Sequence, residues 1–288
     1  MTVNLADLQT RQNPNWCPGC GNYGIQAAMK NAIVQLGLEP SNVVIATGIG
    51  CGSKLNQWVE TYGFASLHGR SLPVAMGVKL ANPELTVIDV SGDGDGYGIG
   101  MGHFINTMRR NINITYIVQD NQLYGLTLGQ VSPTSEKGMK SPSTPQGVTE
   151  EPVNPLRLAM SSACTFVARG FAGDIPHLTS LIMAAVKHRG FALIDVFQPC
   201  VTFNKINTHQ FFRDRVYKLE DEAGYDPTDL VAAFEKAGEL GDKIPLGIFY
   251  RVEKPLYEDQ DPALRGGQVP VKADISRVDI GEVEGSFM

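Results

Sequence analysis

The sequence predicts an α/β fold, a parallel sheet flanked by helices, and two observations carry that reading. Four short runs, NVVIAT at 42–47, LTVIDV at 85–90, ITYIV at 114–118 and FALIDVF at 191–197, are rich in β-branched residues and lack polar alternation, as strands buried on both faces do. Segments with apolar residues at helical spacing lie between them, and strand–helix–strand repetition implies parallel pairing.

Taken in order, residues 1–16 read as an extended lead-in. Gly21–Leu36 carries Ile25, Ala28, Met29, Ala32, Ile33 and Leu36 at helical spacing. Leu55–Thr61 reads as a short helix. Ser71–Leu80 reads as another, with Pro73 in the first turn, where a missing N–H costs little. Tyr97–Arg110 is the helix between the second and third strands; Arg109 and Arg110 in its last turn complement the helix dipole. Residues 129–155, rich in Ser, Thr, Pro and Gly, read as a long loop of the kind that is usually functional or mobile. Pro155–Cys164 is a helix, Thr165–Ala168 a strand and Ile175–His188 a strong helix. After Cys200 the pattern weakens, with one amphipathic helix at Leu230–Leu240. Residues 1–200 are therefore taken as one domain, and residues 201–288 as an arm that packs on it or on a partner.

At 288 residues with 43% apolar content, the chain has material for a large core. Its formal net charge of -6 and the lack of a Lys/Arg run argue against a nucleic-acid clamp. No apolar stretch approaches the roughly 20 residues of a membrane span. The N-terminal MTVNLADLQTRQNPNW lacks the basic start and apolar run of a secretory signal. The expectation is a cytoplasmic protein without disulfides. Its five cysteines include one Cys-x-x-Cys pair, which points to metal or redox chemistry.

The chemistry concentrates in SGDGDGYGIGMG, where every even position from Gly92 to Gly102 is glycine. That strict two-residue step fails the dinucleotide fingerprint, and the lysine of a P-loop is missing. What remains is a strand, a glycine turn with Asp93 and Asp95, and a helix start. Backbone amides there favour phosphate, while the carboxylates suit Mg²⁺. Together they imply a metal-bridged diphosphate; a glycine turn with two solvated aspartates is the alternative. The next strand ends in Asp120, Asn121 and Gln122. In a parallel sheet it shares the carboxyl edge with the glycine turn, so Asn121 is a candidate second oxygen ligand, or simply a strand-end turn residue.

NWCPGCGNY places Cys17 and Cys20 around a Pro-Gly knuckle, fit for zinc, a dithiol or an iron–sulfur ligand pair. Cys51 in GIGCGSK and Cys200 in QPCVTFN each follow a strand, so all four cysteines can gather at one sheet edge. Four thiolates suit Zn²⁺ or a 4Fe–4S cluster. Cys164 lies in an apolar helical context and reads as core packing.

The stretch from GDGDG to DNQ resembles the thiamine-diphosphate motif, which makes the fold a thiamine-diphosphate-binding domain with a C-terminal arm. The resemblance implies Mg²⁺ held by Asp93, Asn121 and the backbone carbonyl of Leu123; the usual Asn-Asn pair stands here as Asp120-Asn121. Joined with WCPGCG, GIGCGSK, LHGRSLPVAMGVKLANPE, DNQLYGLTLGQVSPTS and QPCVTFN, it resembles the β subunit of 2-oxoacid:ferredoxin oxidoreductases over roughly residues 15–255. That implies a 4Fe–4S cluster on Cys17, Cys20, Cys51 and Cys200 beside the thiamine. Gly50, Gly52 and Ser53, with Gly69, Arg70 and Ser71, match positions that line the cofactor. Gly94, Asp95, Gly125 and Leu126 match contacts on its diphosphate side. His68 borders the active site, and Lys54 matches a basic position near substrate or coenzyme A, although a solvated lysine fits too. His103 reads as packing.

The implied reaction is oxidative decarboxylation of a 2-oxoacid to an acyl-CoA, possible in either direction, with electrons passed to ferredoxin. GLTLGQVSPTS is closest to 2-oxoglutarate enzymes, with pyruvate and branched-chain acids as alternatives. No motif supplies the glutamate that activates thiamine. In the family it comes from a partner α (or fused γ/α) subunit, so the chain alone is expected to be inactive. Three rivals differ in class: a non-oxidative thiamine decarboxylase or ligase with zinc or no metal on the cysteines, an electron-transfer subunit without thiamine, and a zinc-stabilised interaction module.

Overall fold

The computed structural model describes residues 3–274, 276 and 280–287; the remaining positions of the expected lead-in and arm lie outside the described residues. The strands are β1 (Val43–Thr47), β2 (Tyr62–Ala65), β3 (Thr86–Gly92), β4 (Thr115–Asp120), the two-residue β5 (Leu123–Tyr124) and β6 (Gln130–Val131), β7 (Phe166–Phe171), β8 (Ala192–Phe197), β9 (Val216–Lys218) and β10 (Ile244–Arg251). Helices that cover the sheet are α1 (Asn22–Leu36), α2 (Ser71–Ala81), α3 (Met101–Arg110), α4 (Pro155–Ser161) and α5 (Ile175–Lys187), followed by α6 (His209–Arg213) and α7 (Leu230–Lys236). Eight strands form one sheet in the order β2-β1-β3-β4-β8-β7-β10-β9, while β5 and β6 make a separate small hairpin. From β2 to β7 every neighbouring pair is parallel; β10 is antiparallel to β7 and parallel to β9.

Period-two alternation along the buried strands feeds two cores. Ile45, Ile88, Ile117 and Ile194 pack with Ile25 and Met29 of α1 and Leu178 and Ile182 of α5. Ala46, Val87, Tyr116 and Leu193 face the other way, against Leu72 of α2, Phe104 and Met108 of α3 and Leu156 of α4. This two-sided burial is why the strands read as unbroken apolar runs. Asn154 and Asp174 accept the backbone N–H of Arg157 and His177 and so start α4 and α5.

Several expectations need correction. The lead-in is not extended: it folds into a turn at Asn4–Gln9 and buries Leu8 in the first core. Leu55–Thr61 is not a helix. A tight helical turn at Gly52–Gln57 leads into the edge strand β2, whose four residues are exposed and so show no alternation to read. Tyr97–Arg110 is not continuous, because a wide turn at Gly94–Ile99 precedes α3, with Gly98 off helical geometry at ψ -108. Gly100 N–H donates to Asp95 O at 3.0 Å, an i→i+5 bond, and such wide turns cluster at functional sites. The segment past Cys200 supplies two strands of the sheet itself, β9 and β10. Pro245 and Gly247 within β10 disguise it as a loop, and they are tolerated beside a three-residue outer neighbour and a register shift at Ile248/Tyr250. Among the described residues no helix is long and apolar enough to cross a membrane.

Candidate active site

The chain leaves β1 for β2 on one side of that strand and returns to form β3 on its other side, from which it moves on to β4. The loops after β1 and β3 therefore diverge, and a crevice opens at the carboxyl edge, the usual ligand position in an open parallel sheet. Two cavities lie there. One, of about 260 Å³, is lined by Ile49–Gly52, His68, Gly92–Asp95, Asn121 and Leu123–Thr127. The other, of about 230 Å³, is lined by Asn15–Cys17, Cys20, Cys51, Lys54, Asn121, Gly125, Leu126, Leu128, Gln198 and Cys200–Phe203 without Thr202. Cys51, Asn121, Gly125 and Leu126 line both.

In the first cavity Asp93 is buried at the end of β3. Its Oδ2 accepts the hydroxyls of Ser132 at 2.5 Å and Thr134 at 2.8 Å. Burial pushes its carboxyl up to about 6, although those hydroxyls and the Asn121 N–H pull it down. Asn121, one residue past β4, accepts the Leu123 N–H at 3.2 Å through Oδ1. Asp93, the Asn121 amide and the Leu123 carbonyl could together offer an all-oxygen donor set of the kind that suits Mg²⁺, and an ion there would supply the counter-charge that buried Asp93 lacks.

Asp95 is buried and serves as an anchor. Its Oδ1 accepts the N–H of Gly69 at 2.7 Å and of Ile49 at 3.2 Å, and lies 2.6 Å from His68 Nδ1. Three contacts thus hold the loop after β1 and the loop after β2 against the glycine turn. A Cβ on Gly94 would lie 2.2 Å from the Tyr124 ring, whose hydroxyl donates to Gly94 O at 3.1 Å. Glycine is what lets that ring close over the turn.

In the second cavity the Cys17–Cys20 knuckle is closed by Cys20 N–H donating to Cys17 O at 3.0 Å, with Gly19 at φ +82. Trp16 Nε1–H donates to Cys51 O at 2.6 Å and ties the knuckle to the loop after β1. Gln198 Nε2–H donates to Cys20 Sγ at 3.2 Å. A Cβ on Gly125 would stand 3.8 Å from both Cys51 Sγ and Cys200 Sγ. The thiols are free; burial pushes Cys20 up to about 12 and raises Cys51, which the Lys54 charge pulls back. Among the described residues no three His, Cys, Asp or Glu side chains converge as ligands of one metal ion do. Tetrahedral zinc at Zn–S of about 2.3 Å would bring its sulfurs to about 3.8 Å from one another. All four thiols line this one cavity.

The structure therefore gathers Cys17, Cys20, Cys51, Cys200, Gly50, Gly52, His68, Asp93, Gly94, Asp95, Asn121, Leu123, Gly125 and Leu126 on the two adjoining cavities. Lys54 faces the cysteine side, with Nζ donating to Asn15 Oδ1 at 3.4 Å, and does not line the first cavity. Ser53, Gly69, Arg70 and Ser71 line neither. Arg70 turns to His103 at 2.8 Å, Ser71 shares a hydrogen bond with Ser91 at 3.0 Å, and Gly69 acts through its N–H on Asp95. Cys164 is buried in the second core, its thiol donating to Phe166 O at 3.2 Å. Sequence reasoning gave no role to Ser132, Thr134, Trp16, Tyr124 or Gln198; the quoted SPTS and QPC segments contain three of them, and nothing local marks their partners.

Residues 42–196 match the family model "Thiamine pyrophosphate enzyme, C-terminal TPP binding domain", and residues 200–266 match the model for the C-terminal part of the pyruvate ferredoxin oxidoreductase beta subunit. A 2-oxoacid:ferredoxin oxidoreductase subunit beta of Saccharolobus solfataricus is 45% identical over 282 residues, 90% of this chain and 92% of that one. This chain belongs to the 2-oxoacid:ferredoxin oxidoreductase β-subunit family. A 2-oxoglutarate synthase subunit KorB of Archaeoglobus fulgidus is 36% identical over 243 residues, 82% of this chain and 90% of that one. A solved 2-oxoglutarate:ferredoxin oxidoreductase from Magnetococcus marinus, with 2-oxoglutarate, coenzyme A and succinyl-CoA bound, superposes with TM-score 0.91 at 37% identity, covering 99% of this chain and 96% of that one. The mostly parallel sheet with flanking helices is the fold of this family, and both loops that carry the glycine turn and Asn121 lie within the matched thiamine pyrophosphate binding domain.

Proposed function

We propose that this chain is the cofactor-holding β subunit of a cytoplasmic 2-oxoglutarate:ferredoxin oxidoreductase, which converts the 2-oxoacid and coenzyme A to an acyl-CoA and carbon dioxide and delivers electrons to ferredoxin, in either direction. The observation that carries the reading is the shared wall: Cys51, Asn121, Gly125 and Leu126 line both cavities, so a group in one lies beside a group in the other. Thiamine diphosphate supplies the carbanion chemistry of decarboxylation, and a 4Fe–4S cluster the one-electron steps.

The residues divide that work. Asp93, Asn121 and the Leu123 carbonyl would hold Mg²⁺, with Gly94 and Gly125 giving backbone room on the diphosphate side. Asp95 holds His68 at the rim, where the imidazole can bind or orient substrate. Cys17, Cys20, Cys51 and Cys200 would hold the cluster, with Lys54 on that side. Residues 1–200 are read as the unit that holds both groups, and 201–288 as the arm closing one edge or meeting the partner.

The site is completed by a partner α subunit. Among the described residues no glutamate lines the first cavity. Exposed Ile49, Leu67, Ile99 and Leu126 lie on loops beside it or at its rim, an apolar surface suited to a covering protein. Similarity to a 2-oxoglutarate synthase subunit and to a 2-oxoglutarate:ferredoxin oxidoreductase supports 2-oxoglutarate, and the match of residues 200–266 to a pyruvate enzyme keeps pyruvate as the second reading.

The test is anaerobic purification of the chain with its partner subunit, followed by metal, sulfide and thiamine diphosphate analysis. Turnover is then assayed on 2-oxoglutarate, pyruvate and branched-chain 2-oxoacids with coenzyme A and ferredoxin. About four irons and four sulfides per chain are expected, with thiamine diphosphate bound and 2-oxoglutarate preferred. Zinc without sulfide would overturn the oxidative reading, and full turnover by the isolated chain would overturn the need for a partner.

A further inference from the structure

Gln198 follows β8 and is 1% exposed. Its backbone N–H donates to Asp120 O at 2.8 Å, so the side chain starts from a fixed point at the sheet edge. Its amide lies in the wall of the second cavity and touches Asn121, which lines both. Oε1 accepts from Asn121 Nδ2 at 2.9 Å. Nε2 donates to Cys20 Sγ at 3.2 Å and to Pro199 O at 3.1 Å. One planar group thus touches a candidate magnesium ligand at one end and a candidate cluster ligand at the other.

We infer that Gln198 is a positioning residue that couples the two cofactor sites, and this rests on the proposed function. The two ends do different jobs. By accepting from Nδ2, Oε1 fixes which way the Asn121 amide faces and leaves Oδ1 for the Leu123 N–H and the cation. By donating to Cys20 Sγ, Nε2–H draws electron density from the sulfur, which favours the reduced, more negative cluster and raises its potential. An amide cannot turn over to serve one end without failing the other, since exchanging O and N would set donor against donor at Asn121 and oxygen against sulfur at Cys20. Outer partners of this kind typically change metal affinity by about 10–100-fold when removed.

Two variants separate the ends in the complex assembled with its partner subunit. Gln198→Glu keeps an acceptor for Asn121 but puts a carboxylate oxygen against Cys20. Gln198→Leu removes both contacts at similar volume. The readouts are the cluster midpoint potential, from a redox titration followed by electron paramagnetic resonance, and the affinity for Mg²⁺ with thiamine diphosphate, from equilibrium dialysis. Both variants are expected to shift the potential negative. Only Gln198→Leu is expected to weaken cofactor affinity, by about 10–100-fold. An unchanged potential in Gln198→Glu, the near-isosteric variant, overturns the coupling even if Gln198→Leu does not assemble; so does equal loss of cofactor affinity in both. Iron and sulfide analysis of the unsubstituted complex separates the two levels of claim: a complex without cluster fails the functional reading itself, whereas a full cluster indifferent to Gln198 fails only this inference.

Discussion

The two cavities at the carboxyl edge share four residues yet are built from opposite chemistry. The first is a cradle of oxygen donors and glycine backbone, set by the ends of β3 and β4 and tightened by hydroxyls from the loop that follows β6. The second is ringed by thiols from three distant parts of the chain and floored by apolar Leu126, Leu128 and Phe203. In both, burial makes the bare anion unfavourable: the Asp93 carboxyl and the Cys20 thiol are each pushed up. On the proposed function a hard cation would offset that cost in the first cavity and a soft one in the second. The shared wall is what makes them one device, and substitutions can test how separable they are.

The largest effects come from removing a ligand on one side only. In the assembled enzyme, Asp93→Ala is expected to lose thiamine diphosphate and lower kcat/KM by more than about 100-fold, exceeding the loss of an outer partner, while iron content stays full. Cys200→Ser, which lines only the thiol cavity, is expected to lose iron while the iron-free protein still binds Mg²⁺ and thiamine diphosphate. Cys51→Ser lies on the shared wall and is expected to impair both. Iron and thiamine diphosphate content measured on the same preparations check all three. Loss of both groups from Asp93→Ala would show that the cavities do not assemble independently.

Gly94→Ala probes the first cavity alone. A methyl 2.2 Å from the Tyr124 ring forces the ring or the turn to move. A displacement of about 1 Å at a reacting centre can cost about 100-fold in rate, so a drop in kcat of up to that size is expected, with the cluster's spectrum unchanged. Steady-state kinetics beside the absorbance of the cluster decide it, and wild-type kcat would show that Tyr124 moves aside freely.

The pH dependence also distinguishes the sides. In the metal-free protein the Asp93 carboxyl stands near 6, against 3.8 ordinarily, because burial outweighs its hydrogen bonds. The folded state then keeps a proton that the unfolded chain has lost, so metal-free stability falls as pH rises from about 4 through about 6. Below about 6 the proton competes with Mg²⁺, and cation affinity is expected to fall by up to about tenfold per pH unit. The rise in Tm on adding Mg²⁺ and thiamine diphosphate should accordingly be larger at pH 7.5 than at pH 5. An equal rise would show that Asp93 ionises freely in the fold.

How much of this was legible in the sequence follows from where each signal resides. The buried parallel strands β1, β3, β4 and β8 were readable because burial on both faces leaves a local, β-branched trace. β2 was not, since an exposed four-residue edge leaves none, and β10 was hidden by Pro245 and Gly247. Candidate ligand residues stood out where the chemistry demands a residue type after a strand, as with Asp93, Asn121 and Cys51. Their supports did not. Ser132 and Thr134 reach Asp93 across some forty positions of chain, and Gln198 reaches Cys20 from the far end of the domain. Such contacts are set by how loops meet at one sheet edge, which no spacing encodes. Arg70 shows the converse: the motif fixed its neighbourhood, and its side-chain direction then took it to His103 and out of both cavities.

The smallest effect is at the other end of the glycine run. Spacing alone makes Gly94 and Gly102 equivalent members of one alternating series, but the fold separates them. Gly102 is exposed in the first turn of α3, and a Cβ there meets nothing within 4 Å. Its φ is not among the positive ones, so alanine fits the backbone without strain. Gly102→Ala should restrict the unfolded chain and stabilise the protein by about 0.4–1 kcal/mol, raising Tm by about 2 °C, with kcat and cofactor content unchanged. Thermal melting beside steady-state assays measures it. A loss of activity at Gly102 comparable to that at Gly94 would mean that the functional turn extends into α3, and that the division between cradle and scaffold lies further along the chain than the Gly94–Ile99 turn.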